Sequence, residues 1–136
     1  MDNLWGGINI NAVRTPVHVL REQGVFLESR TSGMVKVRVV LHSCGSRELD
    51  GDDGKFEYRF ELVAPMLDGY SYALFTISFG SDIYPVSILL PYDLRQELGK
   101  NRTAANESDF LEILRLVFAA TKTKQVIDAL ISQSIY

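Results

Sequence analysis

The stretch Tyr70–Phe79, YSYALFTISF, constrains the fold of this chain more than any other. It carries no charge, and it is crowded with Tyr, Phe, Ile and Thr, residues that suit a pleated, buried surface. A strand with one wet face alternates apolar and polar side chains. This run is apolar in both phases: Tyr70, Tyr72 and Leu74 in one, and Ala73, Phe75, Ile77 and Phe79 in the other. That pattern predicts a central strand covered on two sides.

The rest of the chain is long enough to supply the cover. Its 136 residues make one domain, expected over 1–136, with residues 1–14 as a flexible segment or a short edge strand. A chain of this length buries about two thirds of its unfolded surface and needs neither a disulfide nor a metal to fold. With 46% hydrophobic and 23% charged residues, it has the composition of a globular protein and not of a disordered one.

Upstream of the run, Thr15-Pro16 reads as a helix start, a capping hydroxyl followed by proline at the first helical position. Val17, Leu20, Gly24 and Leu27 then recur at helical spacing, and Ser32-Gly33 ends the segment. Gly24 costs that helix about 1 kcal/mol relative to alanine, and a close approach to a sheet would explain it. Residues 34–43 alternate as a strand, with Val35, Val37, Val39 and Leu41 on one face. Residues 55–64 alternate again, with Phe56, Tyr58, Phe60 and Leu62 against Glu57, Arg59 and Glu61. Antiparallel pairing would set Lys36 or Arg38 opposite Glu57 or Glu61.

A turn at 65–69 leads into the central run. A last strand is expected over 83–90, at an edge because Pro85 cannot donate to a ladder. Residues 91–107 read as loop with one helical turn at Tyr92–Leu98. Ser108 and Thr123 are the expected caps of two closing helices, whose inner faces hold Phe110, Leu111, Leu114, Val117 and Phe118, then Val126, Ile127, Leu130 and Ile131. The predicted fold class is therefore α+β: a four-stranded antiparallel meander with an N-terminal helix and two C-terminal helices packed on it.

Chemistry-bearing motifs are scarce. His42 and Cys44 stand two apart on one strand, but no third residue completes a thiol–imidazole site. Asp50, Asp52 and Asp53 resemble the start of a calcium loop. Counted from Asp50, however, the glycine falls one place early and position twelve lies in a strand, so a solvated hairpin tip is the better reading. His18 and Glu22 share a helix face as a surface pair. Phosphate-binding glycine loops, nucleophile elbows and paired metal-ligand motifs are missing from the sequence. No catalytic residue, metal site or cofactor is assigned, which weighs against an enzyme.

The six tyrosines are the more telling feature, since tyrosine is enriched at interfaces. Tyr70, Tyr72 and Tyr84 are the candidate partner-binding set. His42, Arg59 and Glu61 are the candidate ligand-binding set, for a pocket between sheet and helices.

Net charge is −3, without a basic run, which argues against nucleic acid as a partner. No apolar stretch approaches a membrane span. The single cysteine, Cys44, and the lack of a leader-like N-terminus point to the cytoplasm. The functional expectation is a non-enzymatic protein-interaction module, immunity-, chaperone- or adaptor-like, working through a sheet or helix face as a homodimer or with a protein partner. Its element order resembles the layout of SecB-type export chaperones, an analogy that carries no activity. The alternative is a small-ligand binder or cryptic enzyme.

Overall fold

A computed structural model of the chain describes Leu4, Gly6, residues 14–47 and residues 52–135, with side chains described outside 43–54. The first helix, α1, spans Pro16–Arg30. The Thr15 hydroxyl accepts the His18 N–H at 3.2 Å and Pro16 opens the first turn, as the sequence predicts. At the other end, Ser32 and Gly33 take positive φ angles of 52° and 80°. They donate back to Ser29 and Glu28 at 3.3 and 2.8 Å, which closes the helix and turns the chain into the sheet.

Strands β1 (Lys36–Arg47) and β2 (Asp52–Ala64) form a long hairpin. A 3-10 turn at Pro65–Leu67 leads into β3 (Tyr70–Phe79), then β4 (Val86–Leu89), α2 (Tyr92–Leu98), β5 (Arg102–Ala104), α3 (Glu107–Ala119) and α4 (Thr121–Ile135). The sheet is antiparallel throughout, in the order β1-β2-β3-β4-β5. The α+β class and the placing of the helices follow the sequence reading, with five strands and not four.

The extra strand, β5, is only three residues long, too short to show an alternating pattern. It covers the outer edge of β4, so β4 is an interior strand. Pro85 does not mark a sheet edge: the ladder begins one residue after it, at Val86.

Two helix caps also differ from expectation. Asn106, not Ser108, caps α3 by accepting the Asp109 N–H at 2.9 Å. Thr123 is not a cap but lies inside α4, buried, with its hydroxyl donating to the Val117 carbonyl at 2.7 Å. The free N–H groups of α4 are met from another helix. Glu97 of α2 accepts from Thr121 and Lys122 at 2.6 and 3.1 Å.

The central strand holds the main correction. Phe60 of β2 pairs with Phe75, but the next residue, Glu61, pairs with Ala73. Leu74 is therefore the extra residue of a β-bulge. A one-residue insertion reverses the phase of everything on one side of it. Tyr70 and Tyr72 oppose Ala64 and Leu62, while Phe75, Ile77 and Phe79 oppose Phe60, Tyr58 and Phe56. The large apolar residues of both phases thus lie on one face, with Ala73 alone left on the other, and Leu74 and Phe75 are buried in succession, at 0% and 2% exposure. The other face receives Ser71, Ala73, Thr76 and Ser78. The two-sided cover expected for this strand is not what the apolar pattern encodes.

All the long helices sit on the apolar face. Gly24 of α1 lies over Val37, and a Cβ on it would stand 2.7 Å from the Val37 Cβ. The close approach suggested by the sequence is thus real. Phe118 of α3 packs on the stacked pair Phe60 and Phe75, whose ring centres are 4.8 Å apart. The core is completed by Val19, Leu20, Leu94, Phe110, Leu114, Val117 and Leu130. Among the described residues no helix covers the second face.

Candidate functional site

The helical layer is not closed. Between α1 and the α3–α4 pair it leaves a trough whose floor is the sheet. One cavity, of about 230 Å³, is lined by Phe26, Leu27 and Arg30 of α1, by Phe60, Leu62 and Leu74 of the sheet, and by Phe118, Thr123 and Ile127. A second, of about 500 Å³, lies between Gln23 of α1 and Leu111, Leu114, Arg115, Phe118, Ala119 and Lys124. Gln23 and Phe118 line both, so the Phe118 ring is a ridge dividing one trough.

The bulge builds part of this floor. Leu74 points into the first cavity because the insertion turns it toward the helices. The lip is Phe26, 62% exposed on the outer side of α1. Sequence reasoning missed Phe26 because it falls outside the spacing of Val17, Leu20, Gly24 and Leu27. The available signal was the spacing of Val19 and Phe26, seven apart and so on one helix face.

The tyrosines do not form one surface. Tyr70 and Tyr72 line a shallow depression with Leu67, Val126, Ala129, Leu130 and Gln133, between the start of β3 and α4. Tyr84 follows the far end of β3, about 30 Å along at strand rise. It is carried by a loop in which Ile83 has φ 73° and Tyr84 N–H donates to Asp82 at 2.9 Å. That is a tight γ-turn, costly for a β-branched residue.

The Tyr84 hydroxyl is buried, with no hydrogen-bond partner among the described residues. Burial pushes its phenol up; the Glu107 carboxylate adds to that and Arg14 opposes it. Arg14 in turn pairs with Glu22, and its Nε lies 3.8 Å from Glu107 Oε1. His18 Nε2 meets Glu22 at 3.1 Å. These groups tie the start of α1 to the start of α3.

His42, Arg59 and Glu61 are brought together, but on the open face of the sheet and not between sheet and helices. Arg38 lies directly opposite Glu61 and donates to Oε1 through Nε and Nη2 at 2.9 and 2.7 Å. Arg59 reaches Oε2 at 3.5 Å and contacts His42 Nδ1 at 3.1 Å. Both oxygens of Glu61, whose side chain is 10% exposed, therefore face guanidinium groups. A charge so enclosed is tolerated because it is paired on both sides. The arrangement locks β1 to β2 beside the bulge.

Cys44, Asp50, Asp52, Asp53 and most of residues 1–13 lie outside what the structure describes in side-chain detail. Among the described residues no three His, Cys, Asp or Glu side chains group as metal ligands would, and no helix is long and apolar enough to cross a membrane. Comparison with known proteins finds no matching family, no matching curated protein and no matching solved structure.

Proposed function

We propose that this chain is a non-enzymatic protein-interaction module that holds an apolar segment of a partner in the trough between α1 and the α3–α4 pair. The observation that supports this reading is Phe26: a phenylalanine 62% exposed at the lip of a preformed apolar cavity. Large exposed apolar groups beside a depression mark binding surfaces more often than isolated ones do. A side chain inserted there would cover Phe26 and Phe118 together. Burial of one such side chain contributes about 1.5–3 kcal/mol, enough for a handful of anchors to make a complex. The cytoplasm is the setting we propose, on the single cysteine.

A photo-crosslinking amino acid placed at Phe26, in cells of the natural host, tests the reading. The same probe at Thr103 on the open sheet face is the control. A discrete protein adduct from position 26 and none from 103 is the expected result. An adduct from 103 alone would sink the proposal.

The apolar lining and the volume of about 230 Å³ of the smaller cavity favour a second reading, a small apolar ligand. Apolar cavities of about 150 Å³ already bind a benzene ring. Native mass spectrometry of gently purified protein separates the two. A bound mass of a few hundred daltons favours the ligand, a second polypeptide favours the module, and a doubled mass identifies that polypeptide as another copy of this chain.

A further inference from the structure

We propose that the segment held in the trough is acidic, its apolar anchors flanked by Asp or Glu. This rests on the interaction reading above and adds the chemistry of the partner.

The chain has 17 acidic and 14 basic residues. Charges drawn at random from it would line a groove with at least as many carboxylates as cations. The charged side chains lining the two cavities are instead Arg30, Arg115 and Lys124, all basic. Arg115 has a partner, Glu112 at 2.7 Å, in a pair so exposed that it is worth little. Among the described residues, Arg30 and Lys124 take part in no ion pair or side-chain hydrogen bond.

Arg30 has an intrahelical reason to be there, since a cation in the last turn complements the helix dipole. Lys124 gains nothing from the dipole: it stands in the first turn of α4, none of whose own residues is acidic, the carboxylate there being Glu97 of α2, already bonded to Thr121 and Lys122. Its neighbour Lys122 is answered from within the fold by Asp93 at 3.3 Å. Lys124 is exposed and pairs with no carboxylate among the described residues, so it is open to an anion on a partner.

Apolar walls with a basic rim fit a protein segment better than a nucleic acid, which would need a longer basic surface for its phosphates. Acidic residues flanking an apolar anchor would meet Arg30 and Lys124 while the anchor fills the cavity beside Phe118.

The test uses the full chain and two fluorescent peptides of identical apolar sequence, each with two leucines, one flanked by glutamates and the other by lysines. Fluorescence anisotropy should show the acidic peptide binding about tenfold more tightly at low salt, with the gap narrowing as salt is added. The double variant Arg30→Glu with Lys124→Glu should invert the preference, while its thermal midpoint stays within a few degrees of the parent. Equal binding of the two peptides, a preference the double variant leaves unchanged, or no binding of either overturns the proposal. A single-stranded oligonucleotide that binds more tightly than the acidic peptide, and loses binding in the double variant, overturns it in favour of nucleic acid. If a partner crosslinks at position 26 while the charge reversals change nothing, the acidic segment is wrong and the interaction reading survives. If position 26 gives no adduct either, both fall.

Discussion

At the scale of single residues, Gly24 sets how closely the first helix can lie. Alanine would gain about 1 kcal/mol of helix propensity at this position. Its Cβ, however, would stand 2.7 Å from the Val37 Cβ, closer than real side chains pack. Val37 belongs to the sheet and has little room to yield, so the clash outweighs the propensity. Gly24→Ala is expected to lower stability by about 1–2 kcal/mol, read from urea unfolding. In the Val37→Ala background the same change should cost markedly less, because the two sites share one contact. Equal costs in both backgrounds would show that the close approach is not what glycine provides.

Glu97 works by charge and not by volume. The N–H groups of Thr121 and Lys122 hold its carboxyl below the usual glutamate range. A depressed folded-state value means that the carboxylate stabilises the fold above the unfolded glutamate pKa. That contribution is lost as pH falls through the folded value. The thermal midpoint of Glu97→Gln should therefore lie below that of the parent near neutral pH, and the two should converge as pH falls through the depressed folded-state value. A gap that does not shrink on acidification would mean that the carboxylate's charge plays no part in capping α4.

At the scale of elements, the bulge in β3 decides which face each aromatic joins. Leu74→Ala keeps the bulge and leaves a cavity, so it should cost about 2–5 kcal/mol while the protein still folds cooperatively. Deleting Leu74 outright is a different change. It restores strict alternation, with Tyr70, Tyr72, Phe75, Ile77 and Phe79 all in one phase against the same β2 partners. The deletion is therefore expected to keep a cooperative urea transition, at a midpoint near that of Leu74→Ala. Loss of the cooperative transition in the deletion alone would show that the fold needs the bulge itself and not only the Leu74 side chain.

At the scale of the whole molecule, the bulge gathers the large apolar residues of β3 on the face that the long helices cover, and among the described residues no helix covers the other. The pattern of β3 therefore supplies no second apolar face for another copy of the chain to cover. A second copy can still add at an edge, and β1 is the long edge, at 12 residues. Hydrogen exchange is the direct check. The amides of residues 76–79 in β3, flanked by β2 and β4, should exchange slowest, and the outward-facing amides of β1 should exchange fast. Protection of that outer β1 row at high protein concentration, lost on dilution, would reveal a dimer built by strand addition.

Much of this architecture was written locally. The Thr15-Pro16 start, the Ser32-Gly33 stop, the antiparallel β1–β2 pairing and the helical turn at Tyr92–Leu98 follow from residue type and spacing, because their partners are near in sequence or set by a period; that Arg38 and Glu61 are the residues set opposite each other was decided by the register. Gly24 was legible as an anomaly that only a close contact explains. What the sequence could not decide needs partners far along the chain. Glu97 caps a helix 24 residues away, β5 is a strand only because Val86 and Ile88 lie beside it, and Phe26 borders a cavity only because Phe118 closes the other side. The bulge is the sharpest case. A period-two pattern records which residues are apolar but not where a ladder inserts one more, and that insertion turned two apparent faces into one.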